Sequence, residues 1–226
     1  MKWRGRRQST NVEDRRGMRP GGKTTLGCGG LVIVIVLALV FDQNPLQLLE
    51  SVNQTVPQTT GTPYTPSAEE EELAGFVRVV LADTEEVWRS VFSERGANYR
   101  EPTLVLFSGG VQSACGTASS ATGPFYCPAD EKLYIDLTFY DDLRNRFGAP
   151  GDFAMAYVVA HEVGHHVQNL MGYTDQVHQR RNSLSQSDYN KLSVRLELQA
   201  DFLAGMWAHY AESMFNSLED GDIEEA

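Results

Sequence analysis

Cysteine is scarce: the 226 residues hold three, Cys28, Cys115 and Cys127. With no second cysteine pair available, a thiolate-built zinc site is not expected. No internal repeat is found, so solenoid and propeller architectures are set aside. Basic residues are sparse after the first two dozen positions. The net charge is −11, yet residues 1–23 carry Lys2, Arg4, Arg6, Arg7, Arg15, Arg16, Arg19 and Lys23 against Glu13 and Asp14, a balance of +6 that leaves −17 for the remainder. A domain that acidic repels polyanions, and nucleic acid is not expected as a partner.

Long uncharged runs are also rare, with one exception, "TTLGCGGLVIVIVLALVF" from Thr24 to Phe41. As a helix, these eighteen residues would span about 27 Å, close to the hydrocarbon core of a bilayer. The residues that follow, Phe41-Asp42-Gln43-Asn44, lack the small side chains of a signal-peptide cleavage site. The run also follows Cys28, whereas a lipid-modified cysteine would need it to come before. The expectation is an uncleaved single-pass anchor at 24–41 in the cytoplasmic membrane. Residues 1–23 would be a basic cytoplasmic tail and the C-terminal part would lie outside the cytoplasm. Residues 42–68, with four prolines, read as a linker to a domain at 69–226. In an oxidising compartment Cys115 and Cys127 are expected to form a disulfide; the alternative is two unpaired thiols.

Within the domain, Ser67 followed by Glu69 to Glu72 marks a helix start. Leu73, Phe76, Val77, Val80, Leu81, Val87, Trp88 and Val91 then recur at three- and four-residue steps as one apolar face. "TLVLF" at 103–107 and "KLYIDLTF" at 132–139 read as strands. A short helix ends at Gly148, and Gly151-Asp152 opens the helix that carries "AYVVAHEVGHHVQNL". A last helical region, interrupted near Ser187, runs through "RLELQADFLAGMW". A few strands among several helices predict a mostly helical α+β domain.

Three of the five histidines fall in that one quoted stretch, among Val158, Val159, Val163 and Val167. His161 and His165 are four residues apart, so on a helix they project from one face about a turn apart and can share one tetrahedral zinc. Glu162, one step round, can serve as base for the water such a metal activates. His166 lies about 140° from His161, on the wrong side to join the pair. A catalytic zinc needs a third protein ligand and an open position. Glu197, 32 residues past His165 in an otherwise apolar segment, supplies the ligand. Asp201, one turn later, can accept a hydrogen bond from one histidine's outer N–H.

"AHEVGHHVQ" and "ELQADFLAG" resemble the zinc-binding elements of gluzincin metallopeptidases. With "ACGTASSATGPFYCPADEKLYIDLTFYDDLRNRFGAPGDFAMAYVVAHEVGHHVQ", the chain is similar to the bacterial membrane-anchored family called putative neutral zinc metallopeptidases. The resemblance implies a zincin-like fold and a zinc-dependent endopeptidase acting on a peptide or protein. It assigns His161, His165 and Glu197 to zinc, Glu162 to the general base, and Asp201 to the support of a ligand. Family members continue beyond "LEDGDIEEA". The expectation is therefore a chain without the closing segment, able to bind zinc but less stable and less active.

A tetrahedral oxyanion needs a donor besides zinc, and Tyr173, His178, Tyr189, His209 and Tyr210 are candidates. "KLYIDLTF" is either an edge strand that pairs with an extended substrate or an ordinary core strand. The rival reading is a membrane-tethered scaffold that holds zinc without turnover. Two histidines and one glutamate leave a coordination position open, and Glu162 has no task in a scaffold, so hydrolysis is the favoured reading.

Overall fold

The computed structural model describes residues 1–18, 64–146, 148, 149 and 151–225. Its elements, in chain order, begin with β1 (Val12–Asp14), α1 (Ala68–Ser93) and β2 (Thr103–Phe107). A hairpin of β3 (Gly110–Ser113) and β4 (Gly116–Ser119) follows, then β5 (Phe125–Cys127), β6 (Lys132–Asp136) and the short helix α2 (Phe139–Asn145). Three helices complete the domain: α3 (Asp152–Leu170), α4 (Tyr173–Arg180) and α5 (Gln186–Phe215).

Ser67 caps α1, accepting from the Glu70 N–H at 3.1 Å, while Glu69, Glu70 and Glu71 occupy the first turn, where the helix dipole favours acids. Its apolar spacing buries Phe76, Val77, Val80, Leu81 and Trp88 against α3 and α5. The interruption expected near Ser187 is the start of α5: Ser185 caps the helix, accepting from Asp188 N–H at 3.1 Å, and the helix then runs unbroken to Phe215.

The main sheet has the order β1-β2-β6-β5, with β1, β2 and β6 parallel and β5 antiparallel at one edge. Side chains alternate across it as a two-residue period demands. Leu104, Leu106, Leu133 and Ile135 enter the helical core, whereas Val105, Phe107 and Tyr134 face a smaller cluster with Val111 and Cys127. The disulfide between Cys115 and Cys127 ties the β3–β4 turn to β5. The strand expected at 132–139 is thus interior to the sheet, and the edge beside α3 belongs to β5.

The first eighteen residues are part of this unit. Val12, Glu13 and Asp14 pair in parallel register with Leu104, Val105 and Leu106. Arg6 meets Asp83 at 2.7 Å, Arg7 meets Glu85 at 3.1 Å, and Arg16, whose side chain is 2% exposed, meets Asp14 and Glu71, each at 2.6 Å. The Met1 ammonium has no solvent access and lies 2.9 Å from Asp152, 2.7 Å from Glu219 and 3.2 Å from Asp222.

These contacts correct the expected membrane placement. Among the described residues no helix is long and apolar enough to cross a membrane, and the segment 24–41 lies outside them, as does most of the linker at 42–68. The expected topology put residues 1–23 on one side of a bilayer and the domain on the other. A strand hydrogen-bonded to β2 cannot be separated from it in that way. Of the positive charges that suggested a cytoplasmic tail, Arg4, Arg6, Arg7 and Arg16 find partners in α1 instead.

Helices α3 and α5 cross with little room to spare. A Cβ built on Gly164 would stand 2.9 Å from the Ala200 carbonyl oxygen and 3.1 Å from Ala200 Cα, so only glycine permits this approach without the helices parting. Gly164→Ala should therefore cost about 1–3 kcal/mol through overpacking against backbone that cannot yield. A lower urea midpoint than wild type checks it.

The ammonium generates a second expectation. Burial alone would lower its pKa, but hydrogen bonds to Glu219 and Asp152, with Asp222 adding, raise it from 8.0 to about 10. The folded state therefore holds this proton more tightly than the unfolded chain. The contribution is intact below pH 8 and fades as pH climbs through about 10. Acetylating the Met1 nitrogen, or adding one residue before it, should lower Tm by several degrees at neutral pH and flatten the alkaline loss, which melts across that range will read.

Candidate metal centre

One turn of α3 separates His161 from His165, and the two rings face each other edge-on with centroids 4.8 Å apart. Across the helix crossing, Glu197 Oε2 lies 3.4 Å from His161 Nε2 and 3.3 Å from His165 Nε2. These three residues each place one ligand atom within 4.8 Å of the others. Two donors each about 2.0–2.1 Å from a tetrahedral zinc stand about 3.3 Å apart. The two carboxylate–imidazole separations fit a shared four-coordinate ion.

The outer ring nitrogens strengthen that fit. His161 Nδ1 lies 2.9 Å from Asp201 Oδ1, and His165 Nδ1 lies 2.9 Å from Gln168 Oε1. Both oxygens are acceptors, so each Nδ1 carries the proton and donates it. Each Nε2 then turns a lone pair toward Glu197. Gln168 is itself held, donating through Nε2 to the Leu196 carbonyl at 2.6 Å and to Gln199 Oε1 at 3.1 Å. Sequence reasoning assigned no role to Gln168. Its position three residues after His165, on the same side of the helix, was the available signal.

Glu162 is 8% exposed. Burial pushes its carboxyl up to about 7; the charge of His165 opposes the rise, Glu197 adds to it, and a hydrogen bond from the Tyr126 main chain opposes it. His166 points elsewhere: its ring is fully buried, with Nε2 2.6 Å from the Arg100 carbonyl oxygen and Nδ1 2.9 Å from the Tyr126 hydroxyl.

The structure thus brings His161, His165, Glu197, Glu162 and Asp201 together and leaves His166 outside the trio. The proposed oxyanion donors are scattered. Tyr173 and His178 lie on α4, Tyr189 sits about 12 Å before Glu197 along α5, and His209 and Tyr210 sit about 18 Å or more beyond it. Nearer at hand is Tyr157, one turn before His161, whose hydroxyl donates to the Asp201 carbonyl at 3.2 Å. Tyr157 and Asp201 also line a cavity of about 700 Å³ that extends along α5 past Gly205 and Ala208 to His209.

Comparison with known proteins gives the chain a family. The chain is 44% identical over 237 residues to an uncharacterized protein, YpfJ, of Escherichia coli (strain K12), covering 100% of this chain and 80% of YpfJ. It is 43% identical over 150 residues to an uncharacterized protein of Mycobacterium tuberculosis (strain ATCC 25618 / H37Rv), covering 62% of this chain and 48% of that protein. No solved structure matches. The model of a family described as "Putative neutral zinc metallopeptidase" matches residues 1–226, and the chain belongs to that family.

Proposed function

We propose that this protein is a zinc-dependent peptidase that hydrolyses peptide bonds, with His161, His165 and Glu197 as the metal ligands and Glu162 as the general base. The observation that carries the reading is the pairing of two Nε2 atoms, 3.3 and 3.4 Å from one Glu197 oxygen, with a buried carboxyl on the adjacent residue. A site that held metal only for structure would gain nothing from Glu162, whose burial costs free energy. Zinc in this ligand set would act as a Lewis acid, polarising the scissile carbonyl and making water more acidic.

The chain's own groups divide the remaining work. Asp201 and Gln168 hold the two imidazoles in one tautomer and one orientation, so the ligands need no rearrangement to bind metal. Glu162 takes a proton from the attacking water and passes it to the leaving nitrogen, which breaks the C–N bond and yields carboxylate and amine. The cavity beside Asp201, which Tyr157 also lines, offers room for substrate side chains.

Metal analysis of purified variants tests the ligand assignment. His161→Ala, His165→Ala and Glu197→Ala should each lose most bound zinc, whereas His166→Ala should keep it. Asp201→Ala and Gln168→Ala should weaken zinc affinity about 10–100-fold. Retention of full zinc by Glu197→Ala would remove the third ligand from the proposal. Glu162→Gln should stay loaded and lose about 10²–10⁴-fold in peptide hydrolysis. A loaded Glu162→Gln with wild-type turnover would end the general-base assignment.

The pH profile follows from the same carboxyl. A base must be ionised to act, so turnover should fall on the acid side, as protonation removes it. Burial holds the Glu162 carboxyl up to about 7, and a cation at the neighbouring ligands lowers that midpoint. The acid limb of kcat should therefore lie at or below about pH 7. A limb well above that value would assign the loss to another group.

A further inference from the structure

Helix α3 carries a second polar row that the metal trio does not use. Glu162, His166 and Asn169 succeed one another at steps of four and three residues, which keeps them within about 60° of one another on one face. All three meet one residue, Tyr126, in the middle of edge strand β5. The main chain of Tyr126 comes close enough to the Glu162 carboxyl to favour its ionised form. Its phenol oxygen lies 2.9 Å from His166 Nδ1 and accepts from Asn169 Nδ2 at 3.1 Å.

The direction of each bond is determined. His166 Nε2 lies 2.6 Å from the Arg100 carbonyl, which can only accept, so that nitrogen carries the proton. Nδ1 is then a bare acceptor, and the Tyr126 hydroxyl donates to it while accepting from Asn169. The His166 ring is fully buried, and Tyr99 packs edge-on against it with centroids 5.8 Å apart. Burial keeps the ring neutral by pushing its pKa below the ordinary histidine range. A helix that needed only packing at this position would be better served by an aliphatic side chain, since a buried imidazole must find two partners.

The strand held in this way has one free edge. Tyr126 is opposite Leu133 in the antiparallel pair with β6, and its side chain reaches α3. With only three residues, β5 has few ladder bonds of its own to set its distance from the helix.

We propose that Tyr126, His166 and Asn169 form a positioning bridge that registers β5 against α3 and so keeps the Tyr126 main chain beside Glu162, giving that carboxylate a fixed setting next to the ligand trio. The proposal rests on Glu162 being the base. The bridge does not touch the metal ligands, so it should govern strand position and turnover while leaving metal content alone.

The test uses the full zinc-loaded chain and four variants. Tyr126→Phe removes only the hydroxyl, and Asn169→Ala removes one donor to it. His166→Asn keeps an acceptor near Nδ1, whereas His166→Gln keeps a donor toward Arg100 and loses that acceptor. Three quantities are measured: zinc stoichiometry, residue-resolved amide hydrogen exchange at Phe125–Cys127, and kcat and KM on a fluorogenic peptide. All variants should bind zinc as wild type does. Tyr126→Phe and His166→Gln should raise exchange of the Tyr126 amide about tenfold and lower kcat about tenfold, with KM within about twofold. His166→Asn should return both toward wild type. Wild-type exchange in Tyr126→Phe overturns the bridge, whether or not any peptide is cut. Faster exchange with unchanged kcat also overturns it, by showing that strand position does not reach the base. If wild type and Glu162→Gln are equally inactive toward peptides, the peptidase reading fails, and the exchange data still decide whether the bridge exists. Should the histidine variants fail to fold, Tyr126→Phe and Asn169→Ala carry the comparison.

Discussion

The site depends on how closely α3 and α5 approach at Gly164 and Ala200. That contact lies midway along a seam in which residues 157–168 of α3 meet residues 196–201 of α5, the two helices running in opposite directions. Tyr157 and His161 both bond to Asp201, His165 faces Glu197, and Gln168 reaches Leu196 and Gln199. If the axes moved apart at the centre, every pair on the seam would lengthen together. The ligand trio is therefore a property of the crossing as much as of its three side chains, and the glycine inside the His-Glu-x-x-His run has a packing reason to be there.

The domain gathers carboxylates that would otherwise repel one another, and the N-terminal segment is what makes this tolerable. Glu85 is 1% exposed, yet it is held by Arg7, Ser9 and Asn11, all from the first eleven residues. Asp83 is buried to 4% with Arg6 beside it, and desolvation still pushes its carboxyl up to about 7. A buried acid with a partial partner is costly. The arginines of residues 6–16 thus act inside the fold, as counter-charges for α1.

What was legible in the sequence was local. The His161–His165 spacing, the base between them and the apolar face of α1 depend on helical periodicity alone, and the structure places them on helices with that geometry. Glu197 and Asp201 stood out as acids among apolar residues expected to be buried, although Leu198 and Phe202 beside them are exposed. The rest turned on contacts far apart in the chain. "VED" at 12–14 has no alternating pattern, and its strand exists only because β2 lies ready to pair with it. Surrounded by arginines and followed by an apolar run, it reads as a tail until Asp83, Glu85 and Glu71 are placed around it. Gln168 and Tyr126 were missed for a similar reason. Their roles lie in hydrogen bonds to residues brought near by the fold, and no spacing announces them.

The buried ammonium also sets an order of events during synthesis. Met1 leaves the ribosome well before its partners Glu219 and Asp222, which follow 218 and 221 positions later. The strand that follows Met1 must likewise wait for Leu104, some ninety residues on. The arginines that follow can meet Glu71, Asp83 and Glu85 much earlier, whereas the ammonium has no partner until Asp152 is made and lacks its full set until residues 219–222 have emerged. Strictly vectorial folding from the N-terminus therefore cannot complete this site, whose partners span the length of the domain. Its folding nucleus should lie in the α1, α3 and α5 core, with the N-terminal strand docking last.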